Sequence, residues 1–499
     1  MKQSFNYFFC RYWDAFLASA IVVIWILLYA RHGGIGVSPD SVAYLSAADN
    51  LVNGFSFTDY NNLPFVLFPL GYPVFLALVQ LFSPGTLIHT APILNGLLYS
   101  GLLFMSSYLF RQMRFYHPAA RLLLLLFLTT SSALLEVYSM LWSETLFLLL
   151  VLLFFIALHR YLLSLQQRDL LMAAIIVSLV FVVRYAGITC VMTGCLLILF
   201  NERLTGKMKL KHLLVFGTVG IALAAGNLVR NSLLSGTFTG VRQKATRTFT
   251  ENLQDAGEVL RYWFPLPESV PAWTLVTGAL ILLIALLYVL YSVLQQQYFS
   301  GTEHIIALFV LIYTAFMLTI STVSRFETLS SRLLSPAYIP VILLLATGSV
   351  YLVQRKRQLP KMLILLLLLC TYGYAQYRHY SNNSYTWEGV SYAGIPGYTE
   401  DQWKKSPLIA HMKNKEKEFS GTIFSNANDA LFFLSGIRAF PLPHKDIPEE
   451  IRAFRQNKSF FLVWFFNGEN PDLVGLEYIQ QHYPIKASWQ FKDGIIFSF

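Results

Sequence analysis

Apolar residues fall in long blocks along the first three quarters of the chain, parted by short polar turns. The blocks predict helices at 15–30, 89–110, 119–137, 143–160, 169–183, 186–200, 212–234, 271–295, 303–323, 333–353 and 360–377. Most are long enough to cross a hydrocarbon core of ~30 Å. The pair flanking Arg184 is short. A further apolar stretch, PFVLFPLGYPVFLALVQLF at 64–82, carries Pro69 and Pro73 and suits a broken segment on the membrane surface better than a clean span. Beyond 378 the pattern changes. After YSNNSYTWEGVSYAGIPGY the charge density rises, and short β-like runs (GTIFSN, SFFLVWFF, GIIFSF) alternate with helical pieces. That alternation predicts a small α/β or α+β module.

Composition agrees with the blocks. Hydrophobic residues make up 55% and charged residues 13% of the 499, where a soluble domain carries about a quarter charged residues. The expected class is a polytopic α-helical membrane protein with about 11 transmembrane helices, and an outer-membrane barrel would show short alternating strands instead. Residues 15–30 are followed by no small-residue cleavage site and read as a retained first helix.

Loop charges orient the spans. With 64–82 left on the surface, the short loops on the N-terminal side hold 15 Lys and Arg and those on the other side hold 8. The positive-inside bias then predicts a cytoplasmic N-terminus. The expected organisation is a membrane domain at 1–377 with a helical first outer loop at 31–88, and an extracytoplasmic α/β domain at 378–499. The net charge of +10 fits cytoplasmic loops and anionic lipid, so nucleic acid is not an expected partner. Cys10, Cys190, Cys195 and Cys370 show no CxxC spacing and read as packing residues.

The chemistry-bearing residues gather at outer helix ends. In VSPDSVAYLSAADNLVNG (37–54), Ser38, Pro39 and Asp40 form a helix start, with Asp40 in the first turn against the dipole. Tyr44, Leu45, Ala48, Leu51 and Val52 follow at helical spacing. Glu136 and Glu144 flank the next outer turn, and Ser143-Glu144 also reads as a plain cap. Ionisable residues at membrane depth are rare and default to a functional hypothesis. Arg184 at the hairpin tip calls for an anion, either a structural partner such as Glu144 or a ligand. Arg230, Arg325 and Arg332 sit at other outer helix ends, against the positive-inside trend. Guanidinium groups bind phosphate bidentately, whereas scattered arginines also anchor helices to lipid headgroups. Carboxylates and arginines on one side of a membrane suit one reaction class. An arginine steadies a lipid-phosphate leaving group while a carboxylate takes the proton of an attacking hydroxyl. No His/Asp ligand cluster stands out in the outer loops, so the residues neither require nor exclude a divalent metal.

The order of these motifs resembles a known family. PDSVAYLSAADNLVNG follows a first helix, then come PLGYPVFLAL, SETLF, RYAG, SRLLSPAY and a small C-terminal domain. This resembles the GT-C superfamily of polyprenyl-phosphate-dependent glycosyltransferases, which includes protein O-mannosyltransferases and the lipid A aminoarabinose transferase. The likeness covers roughly residues 10–345. It implies a catalytic role for Asp40, with Glu144 as a second acidic position. It implies donor lipid-phosphate contacts from Arg184, Arg332, Arg325 and Arg230, and an acceptor cavity lined by Tyr44 and Tyr72. It further implies inversion at the sugar, a polyprenyl-phosphate-linked donor, a periplasmic glycan, lipid or protein acceptor, and a bacterial inner membrane. Asp40-Ser41 departs from the Asp-Glu of the protein O-mannosyltransferases. The competing classes are a lipid or oligosaccharide flippase, which predicts inverted repeats and midplane charges, and a non-catalytic envelope assembly protein. No internal repeat is visible.

Overall fold

A computed structural model describes residues 2–83, 85–113, 117–240, 242–264, 283–284, 286–288, 301–325, 327–354, 358–468 and 470–499. Among them, six helices are long and apolar enough to cross a membrane: Cys10–Tyr29, Leu87–Gln112, Glu144–Ser164, Gly206–Ser235, Thr302–Val323 and Ser331–Val350. Eleven were expected, and each difference has a location. The span at 271–295 lies largely outside the described residues. The expected 119–137 helix is broken into Pro118–Thr129 and Ser132–Ser139, bent by 52°. Ser131 makes the break, because its hydroxyl accepts from the Leu134 N–H and starts a new helix. The hairpin legs are Gln167–Val183 and Ile188–Leu199, of 17 and 12 residues, short for a crossing. The last expected span is the first half of a 36-residue helix, Gln358–Ala393. In the 64–82 stretch only Gly71–Phe82 is helical, over 12 residues.

The chain divides into two compact units. The first holds residues 1–29, 66–75 and 90–388, and the second holds 30–65, 76–89 and 389–499. Residues 378–388 thus fall to the first unit, and most of the first outer loop to the second.

In the first unit an ion triad joins three helices. Asp14, fully buried on the Lys2–Tyr29 helix, accepts from Arg121 at 3.1 Å and from Arg111 at 3.2 Å. Arg111 ends the Leu87–Gln112 helix, and Arg121 opens Pro118–Thr129. An acid taken out of water needs such partners, because its uncompensated charge costs several kcal/mol.

The second unit is built on a five-stranded sheet: β1 (Ile423–Ser425), β2 (Phe440–Pro441), β3 (Phe461–Phe465), β4 (Ala487–Gln490) and β5 (Gly494–Ser498). The order is β2-β1-β3-β5-β4, with β1 parallel to β2 and β3, and β5 antiparallel to β3 and β4. Phe424, Phe454, Phe460, Phe497 and Phe499 fill its core. Asn426 secures the end of β3, accepting from the Phe465 N–H and donating to the Phe465 carbonyl, both at 2.8 Å. In the same unit the Pro39–Gly54 helix packs on the Asn428–Ser435 helix.

Asp14→Ala leaves Arg111 and Arg121 without their shared carboxylate, so it should destabilise the protein by about 3–5 kcal/mol. Glu449→Ala breaks an exposed i,i+3 pair with Arg452 and should change stability by less than about 0.5 kcal/mol. Unfolding midpoints in mixed micelles compare the two, and equal shifts contradict the role given to Asp14.

Candidate functional site

Three of the expected residues meet in the first unit. Glu144 is fully buried at the first position of the Glu144–Ser164 helix. Its Oε1 accepts from Arg184 Nη1 at 2.6 Å and from Arg332 Nε at 2.7 Å. Ser143 was expected as a cap, but its side chain makes no cap hydrogen bond. Its hydroxyl instead donates to Glu144 Oε2 at 3.3 Å and accepts from Arg184 Nη1 at 2.9 Å. Arg332 also reaches Glu327, at 3.3 Å, and its guanidinium lies 4.2 Å from the centre of the Trp142 ring. Cation–π contacts of this kind add about 0.5–2 kcal/mol. Glu136 interacts electrostatically with Arg332 and hydrogen-bonds Tyr262.

Local backbone explains how Arg184 gets there. The Gln167–Val183 helix stops at Arg184, whose backbone is extended (φ −146°, ψ 138°). One 3-10 turn, Tyr185–Gly187, then leads into the second leg. A Cβ on Gly187 would lie 2.5 Å from the Phe181 Cα, so only glycine lets the legs come this close. Gly71 does the same from another segment, its missing Cβ 2.5 Å from the Val182 carbonyl oxygen. That contact seats the next residue, Tyr72, fully buried beside Thr145 and Glu144.

Arg230 and Arg325 are not on Glu144. Arg230 Nη1 donates to Asn231 Oδ1 at 3.0 Å, and Arg325 Nη1 donates to Gln243 Oε1 at 2.8 Å. Arg230 belongs to a second polar group around Tyr185, whose hydroxyl accepts from Asn227 at 3.3 Å and from Asn231 at 3.2 Å. Arg242, next to Gln243, interacts with the same tyrosine and donates to the Leu67 carbonyl at 3.3 Å. No apolar periodicity marks Arg242 in the sequence, and the pattern did not single it out.

Asp40 and Tyr44 lie in the second unit. The Pro39–Gly54 helix begins as expected, with the Ser38 N–H donating to Ser41 Oγ at 3.1 Å and Asp40 in its first turn. Tyr44 is buried, with its ring 6.5 Å from Phe65. The segment before Asp40 is clamped: the Tyr398 N–H donates to the Val37 carbonyl at 2.8 Å, and Gly397 (φ +127°) leaves no room for a Cβ against the same oxygen. The Tyr398 hydroxyl donates to Asp429 Oδ2 at 2.8 Å, and Asp40 interacts electrostatically with both. Burial raises the Asp429 carboxyl above the usual range. Nothing in the sequence links Asp429 to Asp40, because the two are brought together only by the fold of this unit.

Among the described residues no group of three or more His, Cys, Asp or Glu side chains converges as a metal site would.

No family model and no curated protein sequence matches the chain. Solved structures do. The structure of ArnT from Cupriavidus metallidurans bound to undecaprenyl phosphate superposes with a TM-score of 0.58 at 10% identity, covering 97% of each chain. Archaeal oligosaccharyltransferase AglB from Archaeoglobus fulgidus, in complex with an inhibitory peptide and a dolichol-phosphate, gives 0.51 at 10% identity, covering 98% of this chain and 74% of that one. The chain shares the fold of these two structures.

Two outcomes follow from the geometry. Glu144→Gln and Arg332→Gln should be strongly non-additive in unfolding free energy, with a coupling of about 0.5–3 kcal/mol in a double-mutant cycle; additive effects contradict the shared Oε1 contact. The second concerns pH. The raised folded value of Asp429 means the folded state binds that proton more tightly than the unfolded chain, whose carboxyl titrates near ~3.9. The stability so gained is present below about pH 3.9 and lost as pH rises through the raised folded value. Asp429→Asn keeps an acceptor for Tyr398 without the buried charge, so its thermal midpoint should rise relative to wild type from about pH 4 to about pH 7. Parallel pH profiles refute this.

Proposed function

We propose that this chain is a membrane glycosyltransferase, moving a sugar from a polyprenyl-phosphate carrier to a glycan, lipid or protein acceptor on the outer face of a bacterial inner membrane. The observation that carries the reading is the buried Arg184–Glu144–Arg332 cluster in a chain with the GT-C fold. ArnT in this fold is bound to undecaprenyl phosphate and AglB to a dolichol-phosphate, which supports a lipid-phosphate donor. The N-terminus is cytoplasmic and residues 378–499 are extracytoplasmic in this proposal, as the loop charges favour.

Each group has a role. Arg184 and Arg332, held together by Glu144, hold the carrier phosphate as negative charge develops on it. Glu144 acts as a positioning residue, since one of its oxygens is committed to both guanidiniums. Asp40 is the general base. It accepts the proton of the acceptor hydroxyl as that oxygen bonds to the anomeric carbon from the face opposite the phosphate. The anomeric C–O bond to phosphate breaks in the same displacement, so the configuration inverts and the polyprenyl phosphate leaves with the bond's electron pair. Arg230 and Arg325, engaged with Asn231 and Gln243, support the phosphate site by holding the loops beside it and do not touch the phosphate. The group needs no nucleotide, because a lipid-linked donor already carries its leaving group.

The purified protein, given radiolabelled polyprenyl-phosphate sugars and an envelope extract, should transfer label. Asp40→Asn should cut the rate by about 10²–10⁴-fold, the usual contribution of a general base, while Glu449→Gln leaves it intact. Undiminished transfer by Asp40→Asn sinks the base assignment. Undiminished transfer by Arg184→Gln together with Arg332→Gln sinks the phosphate site.

A further inference from the structure

Two neighbouring residues, Asn428 and Asp429, open the Asn428–Ser435 helix of the second unit. Each takes hold of one tyrosine. Asn428 Nδ2 donates to the Tyr60 hydroxyl at 2.8 Å, and Asp429 Oδ2 accepts from the Tyr398 hydroxyl at 2.8 Å. Burial raises both phenols above their usual range, so Tyr398 keeps the proton it donates. The Tyr60 ring also stacks on Phe432 of the same helix, with centres 5.2 Å apart.

The two tyrosines secure the two ends of one segment, the one that carries Asp40. On the near side, the Tyr398 N–H donates to the Val37 carbonyl at 2.8 Å, and Thr399 Oγ1 donates to the Ile35 carbonyl at 2.8 Å. On the far side, Tyr60 follows the Pro39–Gly54 helix closely in sequence. Asn50 of that helix donates to the Thr58 and Asp59 carbonyls at 3.0 Å, which ties the stretch before Tyr60 back onto the helix. The next residue, Asn61, donates to the Ala439 carbonyl at 3.1 Å. Ile35, Val37, Ser41 and Val42 are buried, while Asp40 among them is half-buried. A partly open acid thus stands on backbone that is fixed before and after it.

We infer that Asn428 and Asp429 are positioning residues for Asp40, acting through Tyr60 and Tyr398, so that the 389–499 part of the second unit sets the aim of an acid carried by its 30–65 part. The inference rests on the reading of Asp40 as the general base. A base must stand within hydrogen-bond reach of the proton it takes, and a misplacement of ~1 Å costs about 10²-fold in rate. Neither Asn428 nor Asp429 touches the reacting atoms. The donor phosphate is assigned to Arg184 and Arg332 in the other unit, so loosening Asp40 lowers kcat and leaves the donor KM where it was.

Two measurements on the full chain in detergent test this. In the first, label transfer by Tyr398→Phe and by Asn428→Ala should fall about 10–10²-fold, with the donor KM and the donor bound per chain both as in wild type. Asp429→Leu should lose as much as Tyr398→Phe, and the two together no more than either, because they act as a unit. Asp429→Asn, which keeps an acceptor for the hydroxyl, should recover most of what Asp429→Leu loses. In the second, which needs no transfer, amide hydrogen exchange over residues 37–45 should quicken roughly fivefold in Tyr398→Phe, the loss of one hydrogen bond, while exchange in β3 stays as it was. Unchanged exchange over 37–45 overturns the positioning whether or not the chain transfers sugar. Full kcat in Tyr398→Phe and Asn428→Ala beside a loss in Asp40→Asn overturns the positioning alone, whereas undiminished transfer by Asp40→Asn overturns the base assignment beneath it. A fall in donor bound per chain that matches the fall in kcat also overturns it, since the residues then only hold the fold.

Discussion

A single carboxylate oxygen, Oε1 of Glu144, receives two guanidiniums away from water, and one end of the helical unit is arranged around that contact. Removing Glu144 takes from both guanidiniums the buried carboxylate they share, a loss of several kcal/mol. The backbone around each is correspondingly fixed. Arg184 stands on the extended break between two short helices, Arg332 at the start of Ser331–Gln354 with its face on Trp142, and Glu144 at the first turn of its own helix. Ser143 is drawn out of its capping role to complete the ring of hydrogen bonds.

This arrangement changes the part Glu144 can take. An acid that accepts two guanidinium bonds on one oxygen, and a serine hydroxyl on the other, has little capacity left for a substrate proton. What it supplies is geometry: it holds two forked cations at a fixed separation before any anion arrives, which is the preorganisation that electrostatic catalysis requires. The proposed base therefore belongs to the other acidic position, Asp40, whose helix start is set by Pro39, by the Ser38–Ser41 pair and by the Tyr398 clamp on Val37.

Much of this was legible in the sequence, and the remainder was not for physical reasons. Apolar length marked the six long helices, because crossing a hydrocarbon core is a property of a contiguous segment. The two prolines marked 64–82 as something other than a span, and helix there is confined to Gly71–Phe82. The break at Ser131 was missed because a serine inside an apolar run looks harmless until its hydroxyl takes the Leu134 N–H. Arg184, Arg332 and Glu144 were identifiable singly as charges in apolar surroundings, but their pairing joins residues up to 188 positions apart and no periodicity encodes it. Asp14 carries a readable signal, an acid bordering the first apolar block at 15–30. The tie between Asp429 and Asp40 left no signal at all.

The fate of Arg230 and Arg325 shows why an arginine at a helix end in such a chain cannot be read as a ligand contact on position alone. Irregular backbone near a membrane must have its polar groups satisfied by protein, and the segments around the hairpin tip are irregular. Fully buried Asn231 meets that demand three ways, donating to the Val66 and Phe238 carbonyls and to the Tyr185 hydroxyl. Arg230 leans on the oxygen of that same amide, Arg242 on the Leu67 carbonyl, and Arg325 on Gln243, beside the isolated bridge between Lys244 and Ser324. These contacts hold the loops by satisfying the Val66, Phe238 and Leu67 carbonyls. The same loops carry Gly71 to its seat against Val182, two residues from Arg184. Scaffold and site thus share one set of polar residues, and the arginines that hold the loops fix the shape of the place where the other two meet Glu144.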